Sequence, residues 1–224
     1  MEVAEGEFKP AFPIKPAQQL VFVHIPKCGG TSMHQFLANA KKVQPEPELS
    51  TILAGYCEPA LHKHSKAAVI RDLVGPALWQ TIFTFSVVRN PWDLMLSSYR
   101  WWLQKAGRFS SLRAQADEVA DLGSFEGFLK SDFGGNRINE CEGDILSWLS
   151  DENGQEIVDF VGRLEDIEQA LQNVFERAGL AGYSEFPRLN STVRGGYQDY
   201  YNAETKRLIQ TRFQATIDRF EYQF

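Results

Sequence analysis

Short β-prone apolar runs alternate along the chain with segments of helical period. Leu20 to Ile25 is an almost unbroken apolar run closed by Pro26, the pattern of a strand covered on both faces in a parallel sheet. Gly29 and Gly30 form a tight turn after it, and Thr31 onward starts a helix. The same order recurs downstream. Residues 82–88 are β-branched and aromatic, Asn90 is a helix cap with Pro91 at the first helical position, and Asp93 makes the first turn acidic. Thr51 to Tyr56 predicts a short strand, Ser65 caps a helix over 66–74 that Gly75 and Pro76 end, and Ile157 to Gly162 predicts another strand. Amphipathic helices follow over 166–178 and from Ala203 to about Arg219, the latter turning Leu208, Ile209, Phe213, Ile217 and Phe220 inward. Lys41 to Ser50, with Pro45 and Pro47, reads as an exposed loop. Strands alternating with helices predict a three-layer α/β fold with a mostly parallel central sheet flanked by helices.

Length and composition narrow this picture. The 224 residues, 43% of them apolar, suit one domain over 20–224 behind a loose lead-in of residues 1–19. A net charge of −6 argues against a general nucleic-acid binder, while leaving room for a local basic cradle around a small anion. Cys28, Cys57 and Cys141 are widely spaced without a CxxC pair, which indicates neither a disulfide framework nor a zinc site and fits a reducing, cytoplasmic setting. Residues 1–19 hold charges and three prolines but no apolar stretch of signal-peptide or membrane-span length. Neither an internal repeat nor a low-complexity tract is present, and oligomeric state is not readable.

The first turn carries the candidate chemistry. Glycines let the backbone pass close to a ligand, the first N–H groups of the helix attract an anion, and Lys27 adds a mobile positive charge. The nucleotide P-loop pattern G-x-x-x-x-G-K-[ST] is not met, because the lysine here precedes the glycines. Arg89 stands at the carboxyl end of the second long strand, where parallel α/β sheets bind ligands, and its planar fork suits a phosphate. Between the two lies His62-Lys63-His64, and a histidine titrating near neutrality can take a proton from a hydroxyl. His24 reads as a hydrogen-bonded packing residue and His34 lies one turn into the first helix; Tyr99, Trp101 and Trp102 read as core at helical spacing, with the lining of a sugar-binding cleft as the alternative.

Ile25-Pro-Lys-Cys-Gly-Gly-Thr-Ser32 resembles the 5′-phosphosulfate-binding loop of sulfotransferases that use 3′-phosphoadenosine 5′-phosphosulfate (PAPS), in particular the carbohydrate O-sulfotransferase branch that includes the heparan sulfate 2-O enzymes. Members more often carry threonine where Cys28 stands. The run Arg89-Asn-Pro-Trp-Asp93, with Ser97 eight residues after the arginine, resembles the family's 3′-phosphate-binding motif. The resemblance implies a P-loop-like α/β fold and transfer of a sulfuryl group from PAPS to a hydroxyl of a carbohydrate or other small molecule, leaving PAP. It implies cofactor binding by Lys27, Cys28, Gly29, Gly30, Thr31, Ser32, Arg89 and Ser97, and catalysis by Lys27 with His64, His62 or Glu58 as base. No metal is called for. Phe186 to Tyr197 resembles a loop before the last helix of bacterial members, from which Arg188 or Arg194 can close over the nucleotide with Gly195 and Gly196 as hinge. Arg163-Leu164-Glu165 resembles the family's Arg-Phe-Glu segment, and an ion pair fixing that corner is as good a reading as a cofactor role. Residues 104–150, inserted between cofactor elements, are the natural home of acceptor specificity. Eukaryotic relatives in that branch are commonly Golgi membrane-anchored, so the chain reads as a soluble, bacterial-type member or a catalytic domain without its anchor. Two rivals remain, a P-loop small-molecule kinase using ATP and Mg²⁺, and a non-catalytic nucleotide-binding protein that keeps the cradle.

Overall fold

The computed structural model describes residues 19–43, 50–53, 64–135, 137, 143–178, 186 and 196–224, with the backbone alone for 19, 38–43 and 50–53. Four strands, β1 (Gln19–Val23), β2 (Ser50–Leu53), β3 (Phe83–Val88) and β4 (Phe160–Arg163), form one sheet in the order β2-β1-β3-β4. Every pairing is parallel, with Val23 opposite Ser86 and Val88 opposite Arg163.

Period-two alternation explains how the sheet is covered. From β1, Leu20 and Phe22 face a core with Phe83, Phe85 and Val87 of β3. That layer is closed by Met33, Phe36 and Leu37 of α1 (Gly30–Val43) and by Ile167, Leu171, Val174 and Phe175 of α7 (Ile167–Arg177). Val21, Val23 and Val88 face the opposite core. This larger layer holds α2 (Ala67–Val74), α3 (Pro76–Trp79), α4 (Pro91–Gln104), α5 (Arg113–Asp121), α6 (Phe125–Lys130), α8 (Ala203–Arg212) and α9 (Gln214–Phe220). Helices on both faces of a parallel sheet give the three-layer α/β architecture that the strand and helix pattern predicts.

Several boundaries differ from the sequence reading. Residues 41–43 continue α1 and Ser50 starts β2, where the expected loop spanned Lys41 to Ser50. Lys66, not Ser65, occupies the cap position of α2, and no side chain caps that helix. The strand expected from Ile157 begins at Phe160, because the Asp159 carboxylate takes hydrogen bonds from the N–H and hydroxyl of Thr84 and stands where a ladder residue would. The last helix is two helices, broken at Phe213, whose φ of −117° and ψ of 27° leave the helical range while its ring enters the core. The Asn90 cap holds: its side chain accepts from the Trp92 N–H at 3.1 Å.

The strand order places the ligand crevice. β1 connects to β2 on one side and adjoins β3 on the other, so the order reverses between β1 and β3, and open α/β sheets bind ligands outside the carboxyl ends of strands at such a point. Both motifs singled out above leave the sheet there.

Candidate active site

The loop after β1 is built on an unusual turn. The Cys28 N–H bonds to the Ile25 carbonyl at 3.4 Å, with Pro26 and Lys27 between them. Lys27 has φ of 65°, so proline first and a left-handed residue second make a type II turn with lysine in the place usually left to glycine. Left-handed backbone costs a side chain about 1–2 kcal/mol, and such strain collects where function over-determines geometry. Gly29 follows at φ 80°, and a Cβ there would lie 2.7 Å from Leu164 Cδ1. The first backbone bond of α1 runs from the Met33 N–H to the Gly29 carbonyl at 3.0 Å, so the N–H groups of Gly30, Thr31 and Ser32 belong to the helix's positive end. Thr31 is exposed and Ser32 is buried.

Cys28 points the other way. Its side chain is 1% exposed in the larger core, and burial pushes the thiol up to about 12, an effect that nearby Arg89 only partly opposes. The side chain is a neutral packing group, and any part in anion binding falls to the backbone.

Arg89 reaches the same loop from β3. Its Nη1 donates to the Lys27 carbonyl at 3.1 Å, while Nε and Nη2 donate to Asp93 Oδ2 at 2.8 and 2.6 Å. Two motifs 62 residues apart thus meet in one hydrogen bond. Asp93, Ser97 and Trp101 succeed one another at four-residue intervals along α4, so they share a face. The Lys27 ammonium lies over the Trp101 ring, 5.6 Å from its centre. Half-buried Ser97 therefore stands between the Arg89 pair and the Lys27 side chain.

His64 stands beside the same strand end. It is buried, and its Nδ1 lies 3.2 Å from the His24 carbonyl. A carbonyl only accepts, so Nδ1 carries the proton and the neutral ring's lone pair is on Nε2, the tautomer a general base requires. The His64 and His24 ring centres are 4.4 Å apart, and His24 Nδ1 is 3.4 Å from His34 Nε2. The His24 ring fills the space over Gly30, where any Cβ would run into Nε2. His24 thus touches both the loop's helix and the histidine expected to act as base.

The second turn is braced from behind. Glu165 accepts from the Asn90 N–H at 2.7 Å and from the Tyr222 hydroxyl at 3.1 Å, and the Asn90 amide donates to the Gln223 carbonyl at 2.9 Å. Burial, with the Glu165 charge next, raises the Tyr222 pKa and keeps its hydroxyl a donor. In the Arg163-Leu164-Glu165 segment, Leu164 packs against Gly29 and Glu165 fixes the Asn90 turn, so one corner supports both loops.

The structure brings Lys27, Gly29, Gly30, Thr31, Ser32, Arg89, Ser97 and His64 to the carboxyl end of β1 and β3. Arg188, Arg194, Gly195, His62, Glu58, Cys57 and Cys141 lie outside the described residues. Sequence reading missed the partnership of Asp93 with Arg89, though their four-residue spacing carried it; Trp101 packs against the core as expected, but its place beneath Lys27 was not foreseen. Trp102 is buried, whereas Trp101 is half-buried beneath Lys27.

The sulfotransferase family model matches residues 10–223, and the chain belongs to that family, whose members use PAPS as sulfate donor. Among curated proteins none matches. Among solved structures, mouse sulfotransferase SULT7A1 complexed with PAP is similar at 14% identity and a TM-score of 0.47, covering 92% of this chain and 88% of that one. Among the described residues no helix is long and apolar enough to cross a membrane.

Proposed function

We propose that the chain is a PAPS-dependent O-sulfotransferase, one domain over residues 20–224, acting on a hydroxyl of a carbohydrate or other small acceptor in the manner of the carbohydrate O-sulfotransferase branch. The observation that carries this reading is the 3.1 Å bond between Arg89 and the Lys27 carbonyl, which puts the two motifs within reach of one ligand. PAPS supplies the sulfuryl group and, as leaving group, a phosphate. The Lys27 ammonium and the N–H groups of Gly29, Gly30, Thr31 and Ser32 face that phosphate and stabilise charge developing on it, fixed donors that need no reorganisation. Cys28 contributes main chain, Arg89 and Ser97 hold the 3′-phosphate, and Arg194 closes over the nucleotide. His64 takes the acceptor's proton on Nε2 while the His24 carbonyl holds Nδ1–H. A buried, reduced Cys28 accords with a cytoplasmic setting.

The test has two parts. Thermal shift with PAP, ATP–Mg²⁺ and ADP reads which nucleotide the native state binds. PAP should raise the melting temperature most, and a larger shift with ATP–Mg²⁺ would favour a kinase. Transfer of radiolabelled sulfate from PAPS to an acceptor panel should then be abolished in His64→Ala with PAP binding retained. Undiminished transfer in that variant removes His64 from the mechanism.

A further inference from the structure

The mechanism uses the Lys27 side chain but leaves unexplained the aromatic surface beneath it. Trp101 is half-buried under the ammonium, and Phe109, 51% exposed, lies nearly parallel to it at 26°, with ring centres 6.3 Å apart. Trp102, its neighbour in sequence, is sealed in the core, Trp101 packs part-buried against that core, and Phe109 is the exposed member of the pair. A half-exposed phenylalanine gains little from folding, and aromatic faces open to water at the edge of a reacting centre suit a ligand ring.

Charge sorts the ligands further. In a chain of net charge −6, the stretch between Asp93 and Asp117 carries Arg100, Lys105, Arg108 and Arg113 and no carboxylate. Arg100 is committed elsewhere, donating to the Tyr200 hydroxyl at 2.7 Å and stacking over its ring. Arg108 directly precedes Phe109 and is exposed. The Arg113 guanidinium comes to within 3.8 Å of where a Cβ on Gly107 would lie, which brings a second cation to the same turn. The first acid beyond them, Asp117, is one helical turn further along α5.

We infer that Trp101 and Phe109 form the acceptor subsite, taking a ring with a flat apolar face that carries an acidic group, with Arg108 and Arg113 reading the acid. This rests on the sulfotransferase reading, because it is the Lys27 ammonium that locates the reacting sulfur next to Trp101. Asp93, which holds Arg89, and Ser97 precede Trp101 along the same α4 face, so a 3′-phosphate held there leaves the Trp101 end to the acceptor.

Titration calorimetry on the PAP-loaded protein, with p-nitrophenyl β-D-glucuronide and p-nitrophenyl β-D-glucoside as probes, tests the subsite. The acidic glycoside should bind about two- to fivefold tighter than the neutral one. Phe109→Ala should weaken both about three- to tenfold with PAP affinity unchanged, and the Arg108→Ala/Arg113→Ala double variant should erase the preference alone. Equal binding of the two probes, indifference of either to Phe109→Ala, or no binding of either to the PAP-loaded protein overturns the inference and leaves the sulfotransferase reading standing. Failure of the parent protein to bind PAP overturns both.

Discussion

Replacing Gly30 with alanine tests the link between the loop after β1 and the base proposed for it, His64. In a helix, Gly→Ala ordinarily gains up to about 1 kcal/mol. Here the added methyl falls inside the His24 imidazole, which has little room to yield: Phe22 stacks on it at 5.7 Å, His34 bonds its Nδ1 at 3.4 Å and the His64 ring lies 4.4 Å away. Overpacking of this kind costs about 1–3 kcal/mol, so the usual gain is cancelled or reversed, to a net loss of up to about 2 kcal/mol. Displacing His24 also moves the support of His64, and a misplacement of about 1 Å costs roughly 100-fold in rate. Urea unfolding and sulfate transfer read the two effects separately. On a His24→Ala background the clash is absent and Gly30→Ala should become stabilising, so the two changes are strongly non-additive. A Gly30→Ala protein that is more stable than its parent by the ordinary helix gain, or one whose loss persists without the His24 ring, would refute the reasoning.

Two further predictions follow from the same loop. Between pH 9 and about 12 the native protein keeps a proton on Cys28 that the unfolded chain has lost, so stability falls as pH rises through that window. Half-buried Tyr201 and buried Tyr222 give both proteins some alkaline decline, so the Cys28 part is read as a steeper fall in the parent than in Cys28→Ala by urea unfolding, and iodoacetamide at pH 8 should label Cys28 only after unfolding. Lys27→Gly and Lys27→Ala should both lose sulfate transfer, while the glycine variant is the more stable by about 1 kcal/mol because it relieves the left-handed backbone; equal stabilities would mean that the turn is unstrained.

Much of the layout was legible because local chemistry and global fold agree. The β1 run is apolar on both faces and every residue of β3 is buried, and the Asn90-Pro91 pair starts α4 where a cap and a first-turn proline require. The misread boundaries depend on partners distant in sequence. Asp159 turns to Thr84, 75 residues away, and Phe213 breaks the last helix to enter the core. In the site, Lys27 and Arg89 could be named from their motifs, but the contact between them depends on β1 and β3 being neighbours in the sheet. No periodicity shows that the His24 ring lies over Gly30. Helical spacing sets Trp101 and Trp102 about 100° apart around α4, and what packs against each direction decides which of them is sealed in the core.

The central claim is that one nucleotide is gripped at its 5′ end by the Lys27 loop and at its 3′-phosphate by Arg89. Calorimetric titration of parent, Arg89→Ala and Lys27→Ala with PAP and with 5′-AMP, which lacks the 3′-phosphate, tests it directly. The parent should prefer PAP by about ten- to 100-fold, the worth of charge-assisted hydrogen bonds to one phosphate. Arg89→Ala should lose that preference and still bind 5′-AMP, whereas Lys27→Ala should weaken both ligands and keep the preference. An undiminished preference for PAP in Arg89→Ala would contradict the account.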